Sequence, residues 1–527
     1  MAKSRTFSIY LLKEGVDADS ALKDGNALSE DFEATELPEG ATLYVLDNFP
    51  KEPWWKAFFG IQGNLSQSSK GALVIFPVED RWFALSFGHV YHNLKDESYE
   101  YDFGLRVTLN SLDPQKLKST DVLEPGASKR RRTQIPIESD LTFFDFDRDS
   151  TILKSLTGKV KDEHKHLFRH ATGASNLKLS SNLAPNELTD LCRSLLGLYK
   201  SDDYKIEFPD IQNIVPVNDP TLLTLLDQKL VEAIRGRDDK VSLTVPDMIN
   251  YHDNMYASFS GRGPCDNFDE VFMEPYLDYL EKTKGGLAAV GIADLKKHQL
   301  LLTDEHGEIR DRHSVYKSLL FDVQLSESES FHLSDGHWYK VENSYVQKME
   351  SYLDPLCIDL GFPDFNHANE AAYNLALAQA IDTFICMDTE NIAPAGQTAV
   401  EPCDVYGCDG DAGVFYHVKI STLSASLSHL FNQGANSLEL LKVEDEALGK
   451  LRVLITDGAH PDKRDAMLHP LDERKFRIVY VIITHKNKAN KSRNLPLFSK
   501  ISLMRIMKLL RIMSVEGAFG FVYDAKN

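Results

Sequence analysis

The sequence predicts an α+β, multidomain fold, and three observations carry that reading. A chain of 527 residues exceeds what one hydrophobic core usually serves, so two or three compact units are expected. Its first part holds alternating apolar and polar runs bounded by polar turns. Its last part interleaves short apolar runs with segments of helical period. The expected divisions are an α+β N-terminal domain over 1–235, β-rich at its start, a mixed middle segment over 236–345, and a C-terminal α/β domain over 346–527. A sensing or nucleic-acid-binding role is assigned to the first of these.

Strands are expected over 7–13, 42–46, 72–78 and 81–87, the last two joined as a hairpin by Glu79-Asp80. Trp54-Trp55 and Phe58-Phe59 admit two readings, a stacking platform for bases or core packing, and receive no site assignment. Lys129-Arg130-Arg131-Arg132 follows Pro125-Gly126 and is expected in an exposed loop. Leu188, Leu191, Leu195 and Leu198, then Leu222, Leu225, Leu226, Leu230 and Val231, recur at helical spacing and predict packing helices. In the middle segment, residues 333–339 read as a tight turn between two strands. The last part predicts a helix over 371–380, strands over 383–387, 400–405 and 414–420, and a helix over 426–441. A strand over 476–484, a helix over 500–513 and a strand over 518–523 complete it.

No phosphate loop, dinucleotide fingerprint or internal repeat occurs, which argues against nucleotide-driven motor or kinase functions. The six cysteines are too sparse for a disulfide framework and none forms a Cys-x-x-Cys pair, so reduced thiols are expected. The least polar run, 285–293, is too short to span a bilayer, and a soluble, cytoplasmic protein with no membrane partner is the expectation. A formal charge of −21 disfavours a polyanionic ligand. Its distribution qualifies that inference, because residues 474–515 contain no Asp or Glu while Lys486, Lys488, Lys491 and Arg493 stand among eleven basic residues there. Two readings stay open: a phosphate-contacting surface, or a complement to the acidic remainder of the chain.

Chemistry concentrates in residues 401–419. Asp404 ends one expected strand, and Lys419, fifteen residues later, ends the next. A carboxylate holds a hard divalent cation, and a lysine beside it can orient water or neutralise a phosphate. Alternation places Phe415, His417 and Lys419 on one face, expected to carry the chemistry, and Val414, Tyr416, Val418 and Ile420 on a buried face. In the following helix Leu427, Leu430, Phe431, Leu438 and Leu441 form an apolar stripe with Gly434 inside it and Gln433 at its flank. Ser424 and Ser426 stand at its start, where hydroxyls can cap the helix or meet a phosphate.

Several segments resemble a sporadically distributed, largely uncharacterised bacterial family of about this length. They are Phe7 to Lys13, Arg81 to Gly88, Glu401 to Asp404, and His417-Val418-Lys419 followed by Ser428 to Gly434. The C-terminal order of helix, three strands, helix and strand, with Asp404 and Lys419, resembles the restriction-endonuclease-like core of PD-(D/E)XK nucleases. That resemblance implies metal-dependent hydrolysis of nucleic acid, DNA before RNA, with Mg²⁺ or Mn²⁺, and by analogy a place in bacterial antiphage or mobile-element defence. It makes Asp404, Glu370 and Glu401 metal ligands, His417 a ligand or proton carrier, Lys419 the water-orienting cation and Gln433 a substrate-positioning group. The position two before the lysine, usually an acid or Gln, is His417 here. His417-Val418-Lys419 also resembles the phospholipase D-like motif, which needs no metal, although Ser424 replaces its usual acid. A non-enzymatic binder or sensor on a degenerate core is the further alternative. An unrestrained nuclease harms its host, which implies an activating or regulatory protein.

Overall fold

The computed structural model describes residues 5–47, 50–68, 70–124, 129–144, 151–208, 214–217, 219–238, 240–246, 256–260, 267–268, 271–304, 309–326, 329–341, 343–420 and 424–526. The chain is α+β and divides into two compact units, one of Met1–Leu123 with Arg130–Gln212 and one of Glu124–Lys129 with Asn213–Asn527. The helix Pro220–Arg235 belongs to the second unit because Leu226, Leu230 and Ile234 pack there with Phe331, Leu333 and Trp338.

A nine-stranded sheet builds the first unit, running Thr42–Asp47, Lys70–Val78, Arg81–Phe87, Arg5–Leu11, Leu177–Ser181, His170–Gly173, Ile152–Val160, Leu112–Glu124, Lys129–Ser139. Strand Arg5–Leu11 is covered on both faces: Phe7, Ile9 and Leu11 enter one core while Tyr10 faces another. The expected hairpin closes with Val78 opposite Arg81 and Glu79 at φ 57°. Lys129 to Arg132, expected in a loop, lie instead in an edge strand, where charge and a proline such as Pro136 are tolerated. There Arg132 pairs with Asp121 at 2.7 Å.

In the second unit the middle segment forms a five-stranded sheet, Ile214–Pro216, His337–Val341, Glu329–Ser334, Leu319–Ser326, Val241–Leu243, and a three-stranded one. The expected turn joins Ser334 to His337 through Asp335 and Gly336, both at positive φ.

The C-terminal part is built from α1 (Glu370–Ala380), β1 (Phe384–Cys386), β2 (Val405–Asp409), β3 (Ala412–Ile420), α2 (Ser424–Val443), α3 (Asp445–Gly458), α4 (Arg464–Asp472), β4 (Phe476–Thr484), α5 (Leu497–Ile512) and β5 (Glu516–Tyr523). The sheet order is β1-β2-β3-β4-β5; the first two pairings are antiparallel and the last two parallel. Tyr373 and Leu377 of α1 pack on Val414, Val418, Val479 and Val481. On the other face α2 lies so close that a Cβ at Gly434 would stand 2.5 Å from Ile478 and 2.9 Å from Tyr480, whose hydroxyl donates to Phe431 O at 2.7 Å. The strand expected over 400–405 begins only at Val405 and runs to Asp409. Asp404 therefore stands at the entrance of β2 and not at its end.

Both faces of β3 are buried, which corrects the expectation of one chemical face. Phe415 packs on Tyr406 and Phe476, and His417 is fully buried beside Tyr480 with a ring separation of 6.0 Å. Helix α2 supplies the cover that strand periodicity alone does not register.

Candidate metal centre

The acids converge where β3 leaves the sheet. Asp404 continues the ladder beyond β2, with its N–H donating to Tyr416 O at 3.0 Å and its carbonyl accepting from Met387 N at 2.9 Å. That pairing puts Asp388, the residue after Met387, beside the 401–404 segment. One oxygen each from Asp388, Glu401 and Asp404 lie within 4.8 Å of one another, and all three residues are half-buried. Asp388 is absent from the sequence-derived ligand set. The signal for it is its place directly after the strand that pairs with the Asp404 segment.

Two of the three carboxylates, Asp404 and Glu401, are fixed by named donors. Val418 N donates to Asp404 Oδ2 at 2.7 Å, and Asn374 Nδ2 donates to Asp404 Oδ1 at 3.3 Å. Gln433 Nε2 donates to Glu401 Oε2 at 2.8 Å, and Thr389 N donates to Glu401 Oε1. Thr389 adopts φ 69°, a left-handed conformation costly for a β-branched residue, and it sits in the turn that brings Asp388 back toward Glu401.

Burial pushes the Asp404 carboxyl up to about 7, the Val418 N–H opposes that shift, and Glu401, Asp388 and Glu370 add to it. Burial also raises Glu401, against the Thr389 N–H, with Asp388 acting in the same sense as burial. Acids held this close, partly dehydrated, retain protons unless a cation replaces them. Three hard oxygen donors fit Mg²⁺, Mn²⁺ or Ca²⁺ better than a soft metal.

Glu370 and Lys419 form a neighbouring contact. Lys419 Nζ meets Glu370 Oε2 at 2.9 Å, and Ile420 N donates to Glu370 Oε1 at 2.7 Å. Glu370 thus anchors the end of β3 and lies outside the grouped acids. His417 also lies outside them: neither ring nitrogen has a hydrogen-bond partner among the described residues, and burial holds its pKa down to about 3. A neutral imidazole sealed from solvent reaches neither a metal nor a phosphate in this conformation. The ligand, proton-carrier and covalent roles expected for His417 each require an accessible imidazole, and the ring is buried here.

Ser426 is half-buried in the first turn of α2, and Ser424 opens that helix with its side chain outside the described residues. The basic stretch is extensively engaged within the chain. Lys486 donates to Asn494 O at 3.0 Å, Lys488 meets Asp364 at 3.5 Å, and Arg493 and Lys500 meet Glu350 at 3.3 and 2.8 Å. Lys491 is exposed at φ 47°. No helix among the described residues is long and apolar enough to cross a membrane.

No protein of curated function and no solved structure matches the chain. A family model does match, over residues 7–523, and it spans both the nine-stranded sheet and the acid cluster. The chain belongs to that family, DUF6119, a family of unknown function.

Proposed function

We propose that this protein hydrolyses phosphodiester bonds of nucleic acid, DNA foremost, with Mg²⁺ or Mn²⁺ held by Asp388, Glu401 and Asp404. The observation that carries the reading is the meeting of those three carboxylates beside β3, where Val418 N, one residue before Lys419, donates to Asp404. Two further features support it. The run of α1, three strands and α2, with β4 following after α3 and α4, resembles a restriction-endonuclease-like core, and the fully buried Asn374, which touches Asp404, has an amide oxygen without a partner among the described residues.

A bound cation supplies polarisation of the phosphate and a water of lowered pKa. The chain's own groups do the rest. Asp404 is held for coordination by Val418 N and Asn374, and Glu401 by Thr389 N and Gln433. Gln433 accordingly positions a ligand, a role nearer the metal than the substrate contact expected from sequence. Lys419, half-buried on Glu370, turns from that partner to the phosphate, orienting the attacking water and offsetting charge as it develops. Such an ion pair is worth ~1 kcal/mol or less at a wet site, so the negative charge developing on the attacked phosphodiester competes with it readily.

The test is cleavage of labelled duplex DNA, single-stranded DNA and RNA by purified protein in Mg²⁺, Mn²⁺ or chelator. Metal-dependent cleavage is expected, lost in Asp404→Ala, Asp388→Ala and Lys419→Ala and kept in His417→Leu. Chelator-resistant cleavage abolished at His417 would overturn the reading in favour of the covalent route. Binding without cleavage in every variant, surviving chelation, would leave a degenerate core that only binds.

A further inference from the structure

We infer that Asn374 is a fourth ligand of the cation, donating a neutral oxygen to the site of Asp388, Glu401 and Asp404; this rests on the metal reading above. Asn374 lies in α1 one turn beyond Glu370, on the same side of the helix, and it is completely buried. A buried amide carries two donors and an acceptor oxygen, and leaving the oxygen unpaired is costly. Nδ2 reaches Asp404 Oδ1 at 3.3 Å, a long bond, while Oδ1 has no hydrogen-bond partner among the described residues.

Packing does not account for that choice of residue. An apolar side chain would bury here without an orphan oxygen, against a core of Tyr373, Leu377 and Val418. With the amide turned over so that Oδ1 takes the place of Nδ2 beside Asp404, a cation among the three acids supplies what the oxygen lacks. Amide oxygens are ordinary ligands of Mg²⁺, Mn²⁺ and Ca²⁺.

Charge explains why the fourth donor is an amide. Three carboxylates already exceed the charge of one divalent ion, and a fourth acid in a dehydrated site would add repulsion without further neutralisation. Asn374 completes the donor set at no charge. His417, which the strand pattern offers in place of the usual acid, does not fill that role, and Asn374 comes from a helix 43 residues earlier in the chain.

Titration of full-length, chelator-stripped protein with Mn²⁺, read by calorimetry and by the paramagnetic resonance of free Mn²⁺, tests this. Wild type is expected to bind and Asp404→Ala to lose binding. Asn374→Ala is expected to weaken binding by at least about 10-fold, the loss typical of a removed supporting group at a metal site. Asn374→Asp, which keeps an oxygen in place but adds repulsion among the acids, is expected to bind Mn²⁺ more tightly than the alanine variant and more weakly than wild type. Circular dichroism establishes that each variant folds, and Asn374→Leu, which fills the volume without an oxygen, replaces the alanine variant if that one does not. Unchanged affinity in Asn374→Ala overturns the inference. So does an aspartate variant no better than alanine, because a residue that only donates N–H to Asp404 cannot be replaced by an acid. Absence of Mn²⁺ binding in wild type is a different failure, since it removes the metal reading itself and the ligand role with it.

Discussion

His417 shows how one residue changes meaning with its surroundings. On a strand, two positions before a lysine, it has the spacing of a catalytic group; in the fold it is a neutral, sealed imidazole whose pKa burial lowers to about 3 from 6.5. The unfolded chain binds a proton there below pH 6.5 and the folded chain does not until about pH 3. Stability therefore falls as pH drops through that window. His417→Leu is expected to flatten this part of the pH–stability curve, measured by chemical denaturation at a series of pH values, while leaving metal-dependent cleavage intact. An unchanged acid slope would mean that His417 is not the group responsible. Asn374 and Asp388 present the opposite case. Neither forms a motif along the chain, and folding places both beside Asp404.

At the scale of elements, the close seating of α2 on the sheet sets the position of Gln433. Gly434 is the contact point, and a methyl group there would collide with Ile478 and Tyr480 at 2.5 and 2.9 Å. Gly434→Ala gains helix propensity worth about 1 kcal/mol. It forces side chains out of a filled core at a cost of about 1–3 kcal/mol, so a net loss of stability up to about 2 kcal/mol is expected by denaturant titration. Because Gln433 precedes Gly434 and holds Glu401 at 2.8 Å, the same variant is expected to weaken Mn²⁺ binding more than its stability loss alone requires. The apolar stripe and its glycine are legible in the sequence, since helical spacing survives any tertiary context. The exact bounds of β2 are not, because they are set by pairing with β1 and β3, which lie elsewhere in the chain.

Across the whole molecule, two compact units with separate cores predict two calorimetric transitions, and only one unit carries the acids. Added Mn²⁺ is expected to raise the transition of the unit containing Asn213–Asn527 and leave the other in place, since a ligand stabilises only the part that binds it. A single transition, or an equal shift in both, would show that the units unfold as one. The acidic balance of −21 is compatible with the basic C-terminal stretch because that stretch is answered from within: Arg493 and Lys500 share Glu350, and Arg477 meets Asp409 at 3.0 Å. Such pairs leave less free positive surface than the run of basic residues suggests.

Sequence by itself determined four of the nine strands of the first unit, the turns at Glu79 and Asp335, most of the C-terminal helices and strands with α3 and α4 excepted, and the candidacy of Asp404 with Lys419. These depend on residue type and local spacing, which any fold of the chain must respect. Tertiary structure alone decided that Asp388 joins the acids, that Glu370 holds Lys419, that His417 is sealed, and that Asn374 faces Asp404. The physical reason is that cross-strand register and helix-on-sheet packing bring together residues far apart in the chain, and local periodicity does not encode which face another element covers.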